Sequence, residues 1–150
     1  MNRLNDFQYR LLQEMSLRGL AYLVVGGWAV NLHGASRATK DLDLWVNSSL
    51  TDLDALELAL QFSGVRSDLA ALYRQELHGS NAIARLSNDV DILAKLDGLE
   101  FTEAFSRHLR FDIEGLSIPV LCRDDLVITK SLSNGEKHAA DLESLRLAFL

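Results

Sequence analysis

Apolar positions along the chain recur with two different periods, and each period marks a kind of element. Phe7, Leu11, Leu12, Met15 and Leu17 stand near helical spacing. They predict a helix over residues 6–18, capped by Asn5 and ended by Gly19 in a left-handed conformation. The short run Tyr22-Leu23-Val24-Val25 is bounded by Gly26-Gly27 and reads as a buried strand. Residues 28–33 then form a short predicted helix and residues 34–40 a loop. At Asp41-Leu42-Asp43-Leu44-Trp45-Val46 the period changes to two, that of a strand with one buried face.

Downstream, Thr51 with Asp54 three residues on predicts a capping box for a helix reaching residue 62, which Gly64 ends. A weaker helical pattern covers residues 68–77, and His78-Gly79-Ser80 reads as a turn. Residues 82–86 and 90–94 read as two strands joined by Ser87-Asn88-Asp89, a hairpin. A helix over 100–108 and strands at 109–113 and 117–121 around Glu114-Gly115 follow. Helices at 124–132 and 136–149, separated by Ser133-Asn134-Gly135, close the chain. Helices interleaved with strands and hairpins predict an α/β (α+β) class, with a mixed, partly antiparallel sheet flanked by helices rather than a doubly wound parallel one.

Composition narrows this picture. A chain of 150 residues, 48% hydrophobic, has the size of one domain with a real core, so residues 1–150 are expected to form a single unit. One proline and no low-complexity stretch argue against linkers. Net charge is −6, and residues 51–100 carry four basic against nine acidic side chains. Such a surface repels polyanions and does not suggest a broad nucleic-acid groove, which usually shows a basic face. Arg37 and Lys40, close to the glycines, still allow a local phosphate site. The lone Cys122 cannot form an internal disulfide, and the first fifteen residues lack the apolar core of a signal peptide, so a cytoplasmic protein is expected. No apolar run approaches the roughly 20 residues of a membrane span.

Three carboxylates are the candidate chemistry. Asp41 and Asp43 lie two apart on a predicted strand, so both leave the same face. Alternating polar residues are ordinary on a half-exposed strand, but two like charges on neighbouring same-face positions repel unless a cation joins them. Hard oxygen ligands of this kind suit Mg²⁺, with Mn²⁺ as the alternative. Gly26-Gly27, between a strand and a helix, can present backbone N–H groups to phosphate, although a bare Gly-Gly is also a common tight turn. Asp91, between Val90 and Ile92, completes a cluster if its strand neighbours that of Asp41 and Asp43. It would then ligate metal or accept a proton from an attacking hydroxyl. Asp89 faces the same way but sits in the turn. The four histidines lack zinc-ligand spacing, His33 reads as a packing or hydrogen-bonding residue, and no P-loop or Rossmann fingerprint is present.

Taken together, Val24-Val25-Gly26-Gly27, Asp41-Leu42-Asp43-Leu44 and Val90-Asp91-Ile92 resemble the signature of the DNA polymerase beta-type nucleotidyltransferase superfamily. The fuller text, with Gly26-Gly27-Trp28-Ala29, His33-Gly34 and Arg37-Ala38-Thr39-Lys40-Asp41-Leu42-Asp43, is similar to its bacterial branch of antibiotic nucleotidyltransferases and abortive-infection-type toxins. Asp125-Leu126-Val127, Lys130, Lys137 and Asp141-Leu142-Glu143 extend the resemblance to the C-terminal part. It implies a nucleotidyltransferase-like fold and a two-metal transfer, with Asp41, Asp43 and Asp91 as catalytic and metal-binding residues. Gly26, Gly27, Arg37, Thr39 and Lys130 would bind nucleotide or phosphate. The implied donor is a nucleoside triphosphate; the acceptor could be a small molecule, tRNA or protein, and an oligomer is allowed. The alternative is a toxin–antitoxin or partner-bound regulatory module of the same fold, since relatives often append a helical acceptor-binding domain for which 150 residues leave little room.

Overall fold

The structure, a computed structural model, describes residues 3–35, 38–78, 83–132 and 136–147. Among them lie α1 (Asp6–Leu17), β1 (Leu23–Val25), α2 (Gly26–Leu32), β2 (Leu42–Trp45), α3 (Leu53–Phe62), α4 (Ser67–Leu77), β3 (Ile83–Leu86), β4 (Val90–Leu93), α5 (Phe101–Ser106), β5 (Leu109–Ile113), β6 (Leu116–Val120), α6 (Arg123–Leu132) and α7 (Glu136–Leu147). Arg37, Gly79-Ser80 of one predicted turn, Ser133-Asn134-Gly135 and the end of the last predicted helix lie outside the described residues.

The strands form one sheet in the order β3-β4-β2-β1-β6-β5. β2 runs parallel to β4 and β1 parallel to β6, while the other pairs are antiparallel. The expected mixed sheet is therefore present. β1 lies inside the sheet and all three of its residues are buried. In β2 the alternation sorts the faces, with Leu42 and Leu44 fully buried and Asp43 half-buried between them. Trp45 shares the Asp43 face, and its ring meets Phe101 of α5 edge-on at 5.1 Å. The helices gather in two groups, α1 with α3 and α4, and α2 with α6 and α7.

Local signals explain most of the element ends. Asn5 caps α1 in a complete capping box with Gln8, and Gly19 takes φ +62 just beyond the helix, as its sequence position predicts. The helix at Gly-Gly starts earlier than expected, at Gly26 itself. The start of α3 differs as well: its cap is Asp52, whose Oδ1 accepts from the Ala55 N–H at 3.1 Å. Thr51 is occupied elsewhere, because its hydroxyl donates to the Ala21 carbonyl at 2.6 Å and accepts from the Asn47 N–H at 3.0 Å. A contact across thirty residues thus overrides the local capping pattern.

Candidate functional site

Chain direction brings the candidate residues to one end of the sheet. β1 runs antiparallel to β2, so its last residue, Val25, pairs with Asp43 near the start of β2. β4 runs parallel to β2 in a register that pairs Asp43 with Asp91. On the far side, β3 places Arg85 opposite Asp91. Paired residues point to the same face, so Arg85, Asp91, Asp43 and Val25 form a row across four strands spaced about 4.8 Å apart. Gly26 follows at the end of that row and opens α2.

Gly26 is required there for two reasons. Its φ is +68, and a Cβ would overlap the Asp43 carboxylate, lying 3.0 Å from Asp43 Cγ. The Asp43 carboxylate therefore rests directly against the backbone of the glycine turn. Gly27 is buried inside the first turn of α2. Asp91 is half-buried, and its Oδ2 lies 3.7 Å from Arg85 Nη1 across the hairpin. Burial raises the Asp91 carboxyl above its ordinary range, the Arg85 charge opposes this, and the Asp41 charge adds to it. Asp41, exposed just before β2, is thus close enough for its charge to act on Asp91. Among the described residues no three His, Cys, Asp or Glu side chains converge at metal-holding distance. The strands neighbour as the cluster requires, but the side chains do not close into it: Asp43 leans on Gly26 and Asp91 toward Arg85.

The other candidates are placed differently. Thr39 is half-buried in the loop before β2, and Lys40 Nζ lies 3.7 Å from Asp89 Oδ1. Lys130 is buried on α6, where Nζ lies 2.9 Å from Oδ2 of Asp141, itself fully buried on α7. Asp125 is likewise buried, held by two 3.1 Å hydrogen bonds from Arg107. His33 is buried and hydrogen-bonds the Leu121 carbonyl through Nε2 at 2.8 Å, the packing role expected of it. Cys122 is only partly buried, and burial raises its thiol.

Two residues at this end of the sheet carry no motif in the sequence. Arg85 shows only as one polar position of an alternating strand. Gln8 occupies the third helical position of the α1 capping box, yet it also reaches both strand ends that bear the carboxylates, donating to the Lys40 and Asp89 carbonyls.

Neither a protein-family model nor a curated protein sequence matches the chain. Solved structures do share its fold. The lincosamide antibiotic adenylyltransferase LnuA, in a lincomycin-bound crystal structure, superposes with a TM-score of 0.62 at 14% identity, over 97% of this chain and 98% of that one. ANT(2'')-Ia in complex with adenylyl-2''-tobramycin gives 0.58 at 16% identity, over 95% of this chain and 87% of that one. The solution structure of the antibiotic-resistance factor ANT(2'')-Ia gives 0.57 at 18% identity, over 95% and 80%. The fold is that of the antibiotic nucleotidyltransferases, in keeping with the resemblance carried by the glycine and carboxylate motifs.

Proposed function

We propose that this chain is a single-domain nucleotidyltransferase that moves a nucleoside monophosphate from a nucleoside triphosphate to an acceptor hydroxyl, using Mg²⁺ or Mn²⁺. The observation that carries the reading is the row in which Val25, Asp43 and Asp91 stand in register across β1, β2 and β4, with Gly26 next after Val25 and Asp43 filling the space that a side chain on Gly26 would take. The row sits in a fold shared with adenylyltransferases. Its donor set is made of carboxylate oxygens, which suits a hard divalent cation and leaves room for phosphate oxygens to complete the shell. Asp41, Asp43 and Asp91 are the residues that would hold it. When bound, the ion supplies positive charge that offsets the triphosphate and favours release of pyrophosphate.

The residues of the chain supply the remaining parts. Backbone N–H groups at Gly26 and Gly27 bind phosphate where no Cβ obstructs approach. Thr39 and Lys40 of the segment that enters β2, together with Arg37 just before them in the sequence, supply contacts to the same phosphates. Asp91 takes the proton from the acceptor hydroxyl; the freed oxygen bonds to the α-phosphorus while the bond to the bridging oxygen breaks, and pyrophosphate carries that electron pair away. Burial makes the Asp91 carboxylate more basic, which suits it to accept that proton.

This chain covers 98% of LnuA, an adenylyltransferase seen with lincomycin, which supports a reading in which a fold of this size holds both donor and acceptor. A net charge of −6 disfavours a polyanionic acceptor such as tRNA and favours a small polar or cationic molecule. Thermal unfolding with each of the four nucleoside triphosphates and Mg²⁺ tests the donor half. A triphosphate at 100 times its dissociation constant stabilises the fold by about 2.7 kcal/mol, and Asp43→Asn abolishes that gain. No stabilisation by any of the four, with either metal, overturns the proposal.

A further inference from the structure

Gln8 is only 2% exposed, yet its amide does not serve the helix it belongs to alone. Its Oε1 accepts from the Asn5 N–H at 2.9 Å, closing the capping box. Its Nε2 donates to the Lys40 carbonyl at 3.0 Å and to the Asp89 carbonyl at 2.8 Å. Lys40 immediately precedes Asp41, and Asp89 stands two residues before Asp91. One buried amide therefore spans the entry points of both carboxylate-bearing strands, and each of its N–H groups is used once. The Asp89 carbonyl also accepts from the Leu42 N–H at 2.8 Å, so the same point ties β2 to β4 directly.

The segment being held is strained. Asn88 and Asp89 both adopt φ +65, a region that residues with a side chain enter at a cost. Asn5 secures the first of them, its Nδ2 donating to the Asn88 carbonyl at 3.0 Å, and Gln8 secures the second. Capping and clamping are done by the same two residues, which fixes α1 against the turn that aims β4.

We infer that Gln8 is a positioning residue that sets the spacing of Asp41 and Asp91 by tying together the ends of their strands. The inference rests on the proposed nucleotidyl-transfer site for its purpose, but not for its geometry. Gln8→Glu keeps an oxygen for the Asn5 cap and loses both donors, while Gln8→Met loses all three bonds at similar volume. Asp52→Ala, which removes the cap of α3 on another element, serves as the control for general loss of stability. Two readouts are taken on each folded protein: Mn²⁺ affinity by electron paramagnetic resonance, and hydrogen exchange at the Leu42 amide.

Both Gln8 variants are expected to weaken Mn²⁺ binding by about tenfold or more, the usual effect of removing a group that orients ligands, and to speed exchange at Leu42 beyond Asp52→Ala. In Gln8→Glu the added negative charge by itself favours a cation, so a loss there reports geometry. If the Gln8 variants stay within about twofold of Asp52→Ala in both readouts, the inference is overturned. If the wild-type protein binds no Mn²⁺, the reading of the site fails on its own, and exchange at Leu42 decides: unchanged exchange overturns the clamp, faster exchange sustains it. Should Gln8→Met fail to fold, Gln8→Glu carries the comparison.

Discussion

At Gly26 two demands meet in one residue: a backbone in the left-handed region and a neighbour, Asp43, that leaves no room for a methyl group. Gly26→Ala therefore costs about 1–2 kcal/mol from the backbone alone, and Asp43 must also turn away from the position it holds. Loss of triphosphate binding should exceed the loss of stability, and a titration of both on the same variant checks this. Asp91 carries the opposite trade. Burial raises its carboxyl, so the folded state holds that proton more tightly than the unfolded chain does. Its favourable contribution is present below about pH 3.9, the unfolded value, and is lost as pH rises through the raised folded value. At neutral pH the ionised side chain thus burdens the fold, and Arg85, whose side chain is 74% exposed, offsets little of it. Asp91→Asn should raise the melting temperature at pH 7, with an advantage that shrinks toward pH 4, while abolishing transfer. A melting temperature equal to or below wild type at pH 7 contradicts the assignment of burial as the dominant cause.

Elements place these residues, and they differ in how far the sequence foretells them. The Asn5 cap of α1, the Gly19 stop, the β3–β4 hairpin and the alternation of Asp41 and Asp43 are local signals, and each element lies within a residue or two of its expected position. The pairing of β2 with β4 is not local: nearly fifty residues separate Asp43 from Asp91, and no periodicity encodes which strand a hairpin arm will join. Thr51 shows the same limit, since its hydroxyl is taken by the distant Ala21 carbonyl and the cap falls to Asp52. Lys130 reads in the sequence as an available cation because its partner, Asp141, is fixed only when α6 packs on α7. Breaking a buried ion pair by removing one partner costs about 3–5 kcal/mol. Lys130→Met should therefore destabilise the protein on that scale in urea unfolding. A loss of nucleotide affinity with stability unchanged would instead assign Lys130 to phosphate.

On the scale of the whole molecule, a mixed sheet gathers a glycine turn and three carboxylates from separate parts of the chain to one end, within a fold shared with LnuA and ANT(2'')-Ia. No helix among the described residues is long and apolar enough to cross a membrane. With a net charge of −6, small polar or cationic hydroxyl compounds are the first acceptors to try. Nucleotide transfer is proposed for Asp43 and Asp91 beside the Gly26 turn. Its most direct measurement follows a label on the α-phosphate of each nucleoside triphosphate, with Mg²⁺, into fractions of a cell extract separated as small molecules, RNA and protein. Label is expected in the small-molecule fraction with stoichiometric pyrophosphate, both lost in Asp43→Asn and Asp91→Asn. Label transfer undiminished in those variants, or no pyrophosphate from any triphosphate with any fraction, contradicts the proposal.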